Sequence, residues 1–151
     1  MKTGLKHDKT GRPAYWQHFD HEADIGICGD GPTVEDAFVQ SALALTAVVT
    51  EEKVEALTAV EIACEAPDLE TLYLDWLNAL VFEMATRGFL FSRFEVKIEH
   101  GAGYRLTATA WGENVDQARH KPVVEVKGAT YTELSVKPLE GSWRAQCILD
   151  V

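Results

Sequence analysis

The chain has 151 residues, 46% of them hydrophobic, the length of one ordinary domain and enough to bury roughly 70% of the surface its unfolded form exposes. With 24 acidic residues against 14 basic ones, the formal charge of -10 excludes a surface that grips phosphate backbones through Lys and Arg clusters, so direct nucleic-acid binding is not expected. A basic protein partner, a divalent cation or solubility alone suits such a charge.

Met1 to Ala14 is polar, with Lys2, Lys6, Lys9 and Arg12, and reads as a flexible N-terminal extension, so one domain over residues 15–151 is expected. Nothing in it resembles the apolar core of a signal peptide, and no later stretch approaches the 18 or so apolar residues of a membrane span, which points to a soluble, cytoplasmic protein. Tyr15 to Phe19 reads as a strand and Ile25 to Cys28 as a second, with Gly29-Asp30-Gly31-Pro32 as a turn. Thr33-Val34-Glu35-Asp36 has the form of a capping box and starts a helix whose inner face is Val34, Phe38, Ala42, Leu45 and Val49, ending near Thr50. A strand centred on Val60 to Cys64 follows. Asp68 then caps a second helix from Leu69 to about Arg87, stopped by Gly88.

The apolar residues of that second helix cover an arc of roughly 220°, well beyond the ~100° stripe of a helix buried on one side, so it is expected to be covered on two. Strands are expected over Phe91 to Glu99, Tyr104 to Trp111, Val123 to Val126, Thr130 to Val136 and Trp143 to Leu149, with Gly101-Ala102-Gly103 as a turn. Two helices among runs of strands, without regular alternation, indicate an α+β domain. Cys28, Cys64 and Cys147 form no CxxC pair and are odd in number, so they read as reduced apolar residues. Trp16, Trp76, Trp111 and Trp143 read as core.

Chemistry concentrates at the two ends. Asp20, His21, Glu22 and Asp24 lie within five residues where one strand passes into the next, and oxygen donors of this kind suit Ca2+, Mg2+ or Mn2+ better than zinc. A solvated turn with Asp capping backbone amides is the plainer reading. Asp150 is followed by Val151, whose free carboxylate adds a second negative group, and a fold that orders both has reason to include a cation or a helix N-terminus. Exposure of both is the alternative. Lys127 either turns toward a carboxylate or lies on a solvated strand face. No glycine run matches a nucleotide-binding fingerprint, and no serine sits in a nucleophile elbow.

Taken in order, Asp20-His21-Glu22-Ala23-Asp24-Ile25-Gly26, Thr33-Val34-Glu35-Asp36-Ala37-Phe38, Trp76-Leu77-Asn78-Ala79-Leu80, Trp111-Gly112-Glu113, Glu125-Val126-Lys127 and Ile148-Leu149-Asp150-Val151 resemble the archease family over residues 15–151. The resemblance implies a layered β/α/β sandwich with two main helices. It also implies a non-catalytic protein cofactor of the GTP-dependent tRNA-splicing RNA ligase, one that promotes guanylylation of the ligase's histidine and repeated turnover in tRNA splicing or RNA repair. A divalent cation, Ca2+ in the first place, would be held by Asp24, Asp150 and Val151, and Asp20, His21, Asp30 and Lys127 would serve activity or partner contact. Glu22 stands where the family commonly has Thr, Gly128-Ala129 follows the lysine in place of Ala-Val or Ala-Ile, Thr132 replaces a frequent His, and Pro32 replaces an occasional acid. A metal-dependent phosphohydrolase and an acidic chaperone-like binding module are the alternative functions.

Overall fold

The computed structural model describes residues 3–7 and 13–151. Strands β1 (Thr3–His7), β2 (Pro13–His21), β3 (Asp24–Gly31), β7 (Gly128–Ala129), β8 (Ser135–Leu139) and β9 (Ser142–Asp150) build one antiparallel sheet in the order β1-β2-β3-β9-β7, with β8 also paired to β9. Strands β4 (Thr58–Ala66), β5 (Phe89–His100) and β6 (Tyr104–Asn114) build a second in the order β4-β6-β5. Helix α1 (Val34–Val49) packs on β2, β3 and β9 and also on β5, while α2 (Leu69–Arg87) packs on β4, β5 and β6 and also on β7 and β8. Both helices therefore lie between the sheets, and the layered β/α/β sandwich expected from the sequence is the observed one.

Helix ends are where the sequence placed them. The Thr33 hydroxyl accepts the Asp36 N–H at 3.1 Å and the Asp68 carboxylate accepts the Thr71 N–H at 2.8 Å, each satisfying an orphan donor of the first turn. Gly88 ends α2 at φ 65°, a left-handed conformation that glycine adopts without steric cost. On α2, Leu72, Tyr73, Leu74, Trp76, Leu77 and Leu80 are buried, and a helix enclosed on two sides requires that breadth. The core joins Phe38, Leu45 and Val48 of α1 to Ile27, Cys147 and Leu149 of one sheet and to Leu90, Phe94, Leu106 and Ala110 of the other.

Five local expectations change. Residues 1–2 and 8–12 of the expected extension lie outside the described residues, but Thr3–His7 pairs with β2 from Gln17 to Pro13, and Ala14 is buried, so the sheet begins before Tyr15. Backbone pairing at an edge is indifferent to the polar side chains that suggested an extension. The turn expected at residues 29–32 begins later, because β3 stays paired with β2 through Asp30 and with β9 through Gly31. A methyl on Gly29 would stand 2.3 Å from the Ala37 carbonyl and 2.5 Å from the Ser41 nitrogen, so this glycine serves the close approach of α1.

Val123 to Val126 forms no ladder; the Val123 N–H donates at 2.9 Å to the Val49 carbonyl at the end of α1. Of the strand expected over Thr130 to Val136 only Ser135 and Val136 lie in a strand, β8; the residues between β7 and β8 form a turn in which the Leu134 N–H reaches the Tyr131 carbonyl and Glu133 takes φ 57°. Trp76 is core, but Trp111 lies on the outer face of the three-stranded sheet with the Arg93 guanidinium 4.4 Å from its ring centre. The period of two decides this, since Ala110 and Gly112 take the buried side.

Candidate functional site

Strand register assembles the acidic end. His21 pairs with Asp24 across β2 and β3, Ile25 pairs with Leu149 across β3 and β9, and Gly128 pairs with Asp150 across β7 and β9. One rung beyond Ile25 and Leu149 stand Asp24 and Asp150, so four strands bring His21, Asp24, Asp150 and Gly128 to one row. Paired residues project to one face, which places the His21, Asp24 and Asp150 side chains on the outer face of the six-stranded sheet, away from Ile25, Ile27 and Leu149. Asp20 pairs with Ile25 and falls on the opposite side of the pleat, at the same end. Lys127 is exposed, and its N–H donates at 2.8 Å to the Asp150 carbonyl, which brings it level with Val151.

Asp24 is half-buried and Asp150 exposed, and among the described residues neither carboxylate has a side-chain hydrogen-bond or ion-pair partner. Opposite residues in an antiparallel pair have Cα atoms about 4.5–5.5 Å apart, a separation at which two carboxylates can share one ion. Oxygen donors without thiolates fit a hard cation. The two acids do not amount to a full cage: among the described residues no three His, Cys, Asp or Glu side chains gather closely enough to hold a metal.

Asp30 is not with them. It lies six residues along β3, about 20 Å away at ~3.3 Å per residue, and is buried in a row with Tyr15 and Arg144. Arg144 Nε and Nη2 donate to its two oxygens at 2.9 and 2.8 Å, and the Tyr15 hydroxyl donates at 2.7 Å. Burial pushes the Asp30 carboxyl up, but these hydrogen bonds outweigh it and the net direction is down.

A second neutralised acid, Glu113, was not singled out by sequence. It accepts both guanidinium arms of Arg119, the Glu55 N–H at 2.6 Å and His120 Nε2 at 3.0 Å. Because His120 Nδ1 accepts the Asp116 N–H, its proton sits on Nε2 toward Glu113. Arg119 first, and the Glu55 amide next, hold the Glu113 carboxyl down to about 2. Helix α3 (Gln117–His120) is thereby tied to β6, and Thr50 at the end of α1 donates to the His120 carbonyl.

Two polar groups of α2 reach the edge strands of the same sheet, Asn78 at the acidic end and Glu70 farther along. Asn78 Oδ1 accepts the Ala129 N–H at 2.8 Å while its Nδ2 donates to the Ala129 carbonyl at 3.4 Å, and Glu70 accepts the Val136 N–H at 3.1 Å. A carboxamide set between Leu77 and Ala79 was the available sequence signal. The thiols contribute no nucleophile: burial pushes Cys28 and Cys147 up to about 12 and Cys64 to about 11.

A model described as the Archease protein family (MTH1598/TM1083) matches residues 16–151, which spans every element of the acidic row. The chain belongs to the archease family. It is 41% identical over 139 residues to a protein archease of Pyrococcus abyssi, covering 90% of this chain and 98% of that one, and 40% identical to that of Pyrococcus furiosus over the same coverage. The solution structure of Methanobacterium thermoautotrophicum protein 1598 superposes with a TM-score of 0.80 at 34% identity, over 90% of this chain and 98% of that chain. A Thermotoga maritima crystal structure, described as an archease and possible chaperone, shares the fold at a TM-score of 0.57 and 16% identity, over 88% and 94% of the two chains. Among the described residues of this archease-family chain, no helix is long and apolar enough to cross a membrane.

Proposed function

We propose that this archease-family protein is an activator, not itself an enzyme, of a GTP-dependent RNA ligase acting in tRNA splicing or RNA repair in the cytoplasm. It promotes guanylylation of the ligase and repeated turnover. The carrying observation is the row that sets Asp24 and Asp150 side by side with no ion-pair partner among the described residues, whereas Asp30 and Glu113 are each paired with an arginine. Asp24, Asp150 and Val151 hold a divalent cation, Ca2+ in the first place and Mg2+ or Mn2+ otherwise. When bound, the ion supplies positive charge and a fixed point for oxygen ligands. Lys127 presents an ammonium at the same end, and Asp20 and His21 complete a surface that meets the partner. Phosphoryl transfer depends on placement and charge neutralisation, so an acidic edge that orders the nucleotide end of the ligase raises its rate without taking part in bond making. Asp30 acts on this surface only through the framework, by holding β2, β3 and β9 in register.

The test is a guanylylation and multiple-turnover assay with the ligase of the same organism. Wild-type protein is expected to raise turnover. Asp24→Asn and Asp150→Asn should each lose the stimulation and weaken Ca2+ binding in calorimetry at least about tenfold, a loss that even an outer partner of a metal ligand produces. Unchanged turnover on adding the wild type would defeat the proposal. Phosphatase activity of the isolated protein, or protection of unrelated clients that survives Asp24→Asn, would support a hydrolase or a chaperone instead.

A further inference from the structure

The strand that carries Lys127 into the acidic row is only two residues long, and a ladder of that length has little stability of its own. Its inner edge is nevertheless fully used. Ala129 gives its N–H to Asn78 Oδ1 and receives Nδ2 at its carbonyl, so one carboxamide supplies the acceptor and the donor that a neighbouring strand would otherwise supply. The outer edge is held by β9: Lys127 N–H donates to Asp150 O at 2.8 Å and Thr130 N–H to Ile148 O at 3.0 Å. Segment 127–130 is thus clamped between β9 and one side chain of α2, a helix capped at both ends and enclosed by two sheets. Only a primary carboxamide of this length fits. Aspartate keeps the acceptor and puts a second acceptor against the Ala129 carbonyl, and alanine leaves both half-buried backbone groups unsatisfied.

We infer that Asn78 is a positioning residue of the acidic site: through β7 it holds Lys127 beside Asp150 and Val151. It does so without touching any ligand. The inference rests on the ligase-activator reading for its activity arm and on geometry alone for its structural arm. In Asn78→Ala, amide exchange at Ala129 and Lys127, followed by NMR on the full chain, is expected to quicken at least tenfold while Ile27, on β3 in the core, keeps its wild-type rate. Asn78→Asp should release Ala129 less, because its N–H acceptor remains. Stimulation of ligase turnover by Asn78→Ala should fall to the level of Lys127→Ala, and the double variant should be no worse than Lys127→Ala alone, as expected of residues acting through one another.

Unchanged exchange at Ala129 would overturn the inference. So would losses that multiply in the double variant, which would mark Asn78 as a general stability residue. If the wild type leaves ligase turnover unchanged, the activator reading fails by itself. The exchange pattern, and whether the losses of Ca2+ affinity caused by Asn78→Ala and Asp150→Asn are non-additive, then decide the role of Asn78.

Discussion

Three carboxylates with the same intrinsic chemistry meet three environments in this protein. Asp30 is buried in a fork from Arg144, Glu113 is tied by Arg119, His120 and a backbone amide, and Asp24 stands beside Asp150 with no ion-pair partner among the described residues. The first two are framework, and the last belongs to the proposed ligand site. Their environments have a measurable signature in acid. Glu113 has an ordinary value of 4.5 and is held down to about 2 in the folded chain. Between those values the unfolded chain binds a proton that the folded chain does not, so falling pH favours unfolding, and the stabilisation present above 4.5 is lost as pH drops toward 2. The urea midpoint should therefore be level near neutrality and decline through this window, and Glu113→Gln should remove part of the decline while lowering the plateau. An identical decline in the variant would show that Glu113 is not held as described. None of this pairing was legible from sequence: Glu113 entered only through the Trp111-Gly112-Glu113 motif, Arg119 and His120 lie beyond the expected strand, and the stretch from Glu113 to His120 closes on itself only once α3 forms.

Among the elements, β3 is the one on which the most constraints meet. Its outer face holds Asp24 and Asp30 at opposite ends, its two edges pair with β2 and β9, and its inner face receives α1. Gly29 is where helix and strand come nearest. A methyl group there would stand 2.3 Å from a backbone oxygen that no side-chain rotation can move, so α1 must shift. Gly29→Ala is expected to cost at least the ~1–3 kcal/mol of an overpacked core, read from urea unfolding, and to disturb the NMR shifts of α1 before those of β4. A neutral substitution would mean that α1 has slack. The sequence showed Gly29 as one of a cluster and suggested a turn, because a glycine needed for close packing and a glycine needed for a bend look the same in one dimension. The caps of α1 and α2 were readable because Thr33, Asp68 and Gly88 act on backbone groups within three or four residues.

At the scale of the molecule, α2 joins the two sheets. It touches β4, β5 and β6 on one side and β7 and β8 on the other, and Leu77 is fully buried in the shared core. Leu77→Ala should cost about 2–5 kcal/mol, and far-UV circular dichroism and tryptophan fluorescence should still report one coincident transition, since neither sheet has a core apart from the helices. Two separated transitions would show that the sheets fold independently.

The sequence by itself determined both main helices with their caps, the breadth of the buried arc on α2, most of the strands, and through ordered motifs the family. These follow from periodicity and from hydrogen bonds within a few residues of one another, which a linear pattern carries. The resemblance already put Asp24 with Asp150, and tertiary structure supplied the register that does so; it alone decided that Asp30 joins Arg144 far from them, that Val123 to Val126 lies along a helix end, and that Asn78 reaches β7. Each of those depends on pairing between segments 50 or more residues apart in sequence, as for Asn78 and Ala129, or 114 apart for Asp30 and Arg144. Register is a property of two strands at once, and a one-residue slip would turn the acidic row to the other face.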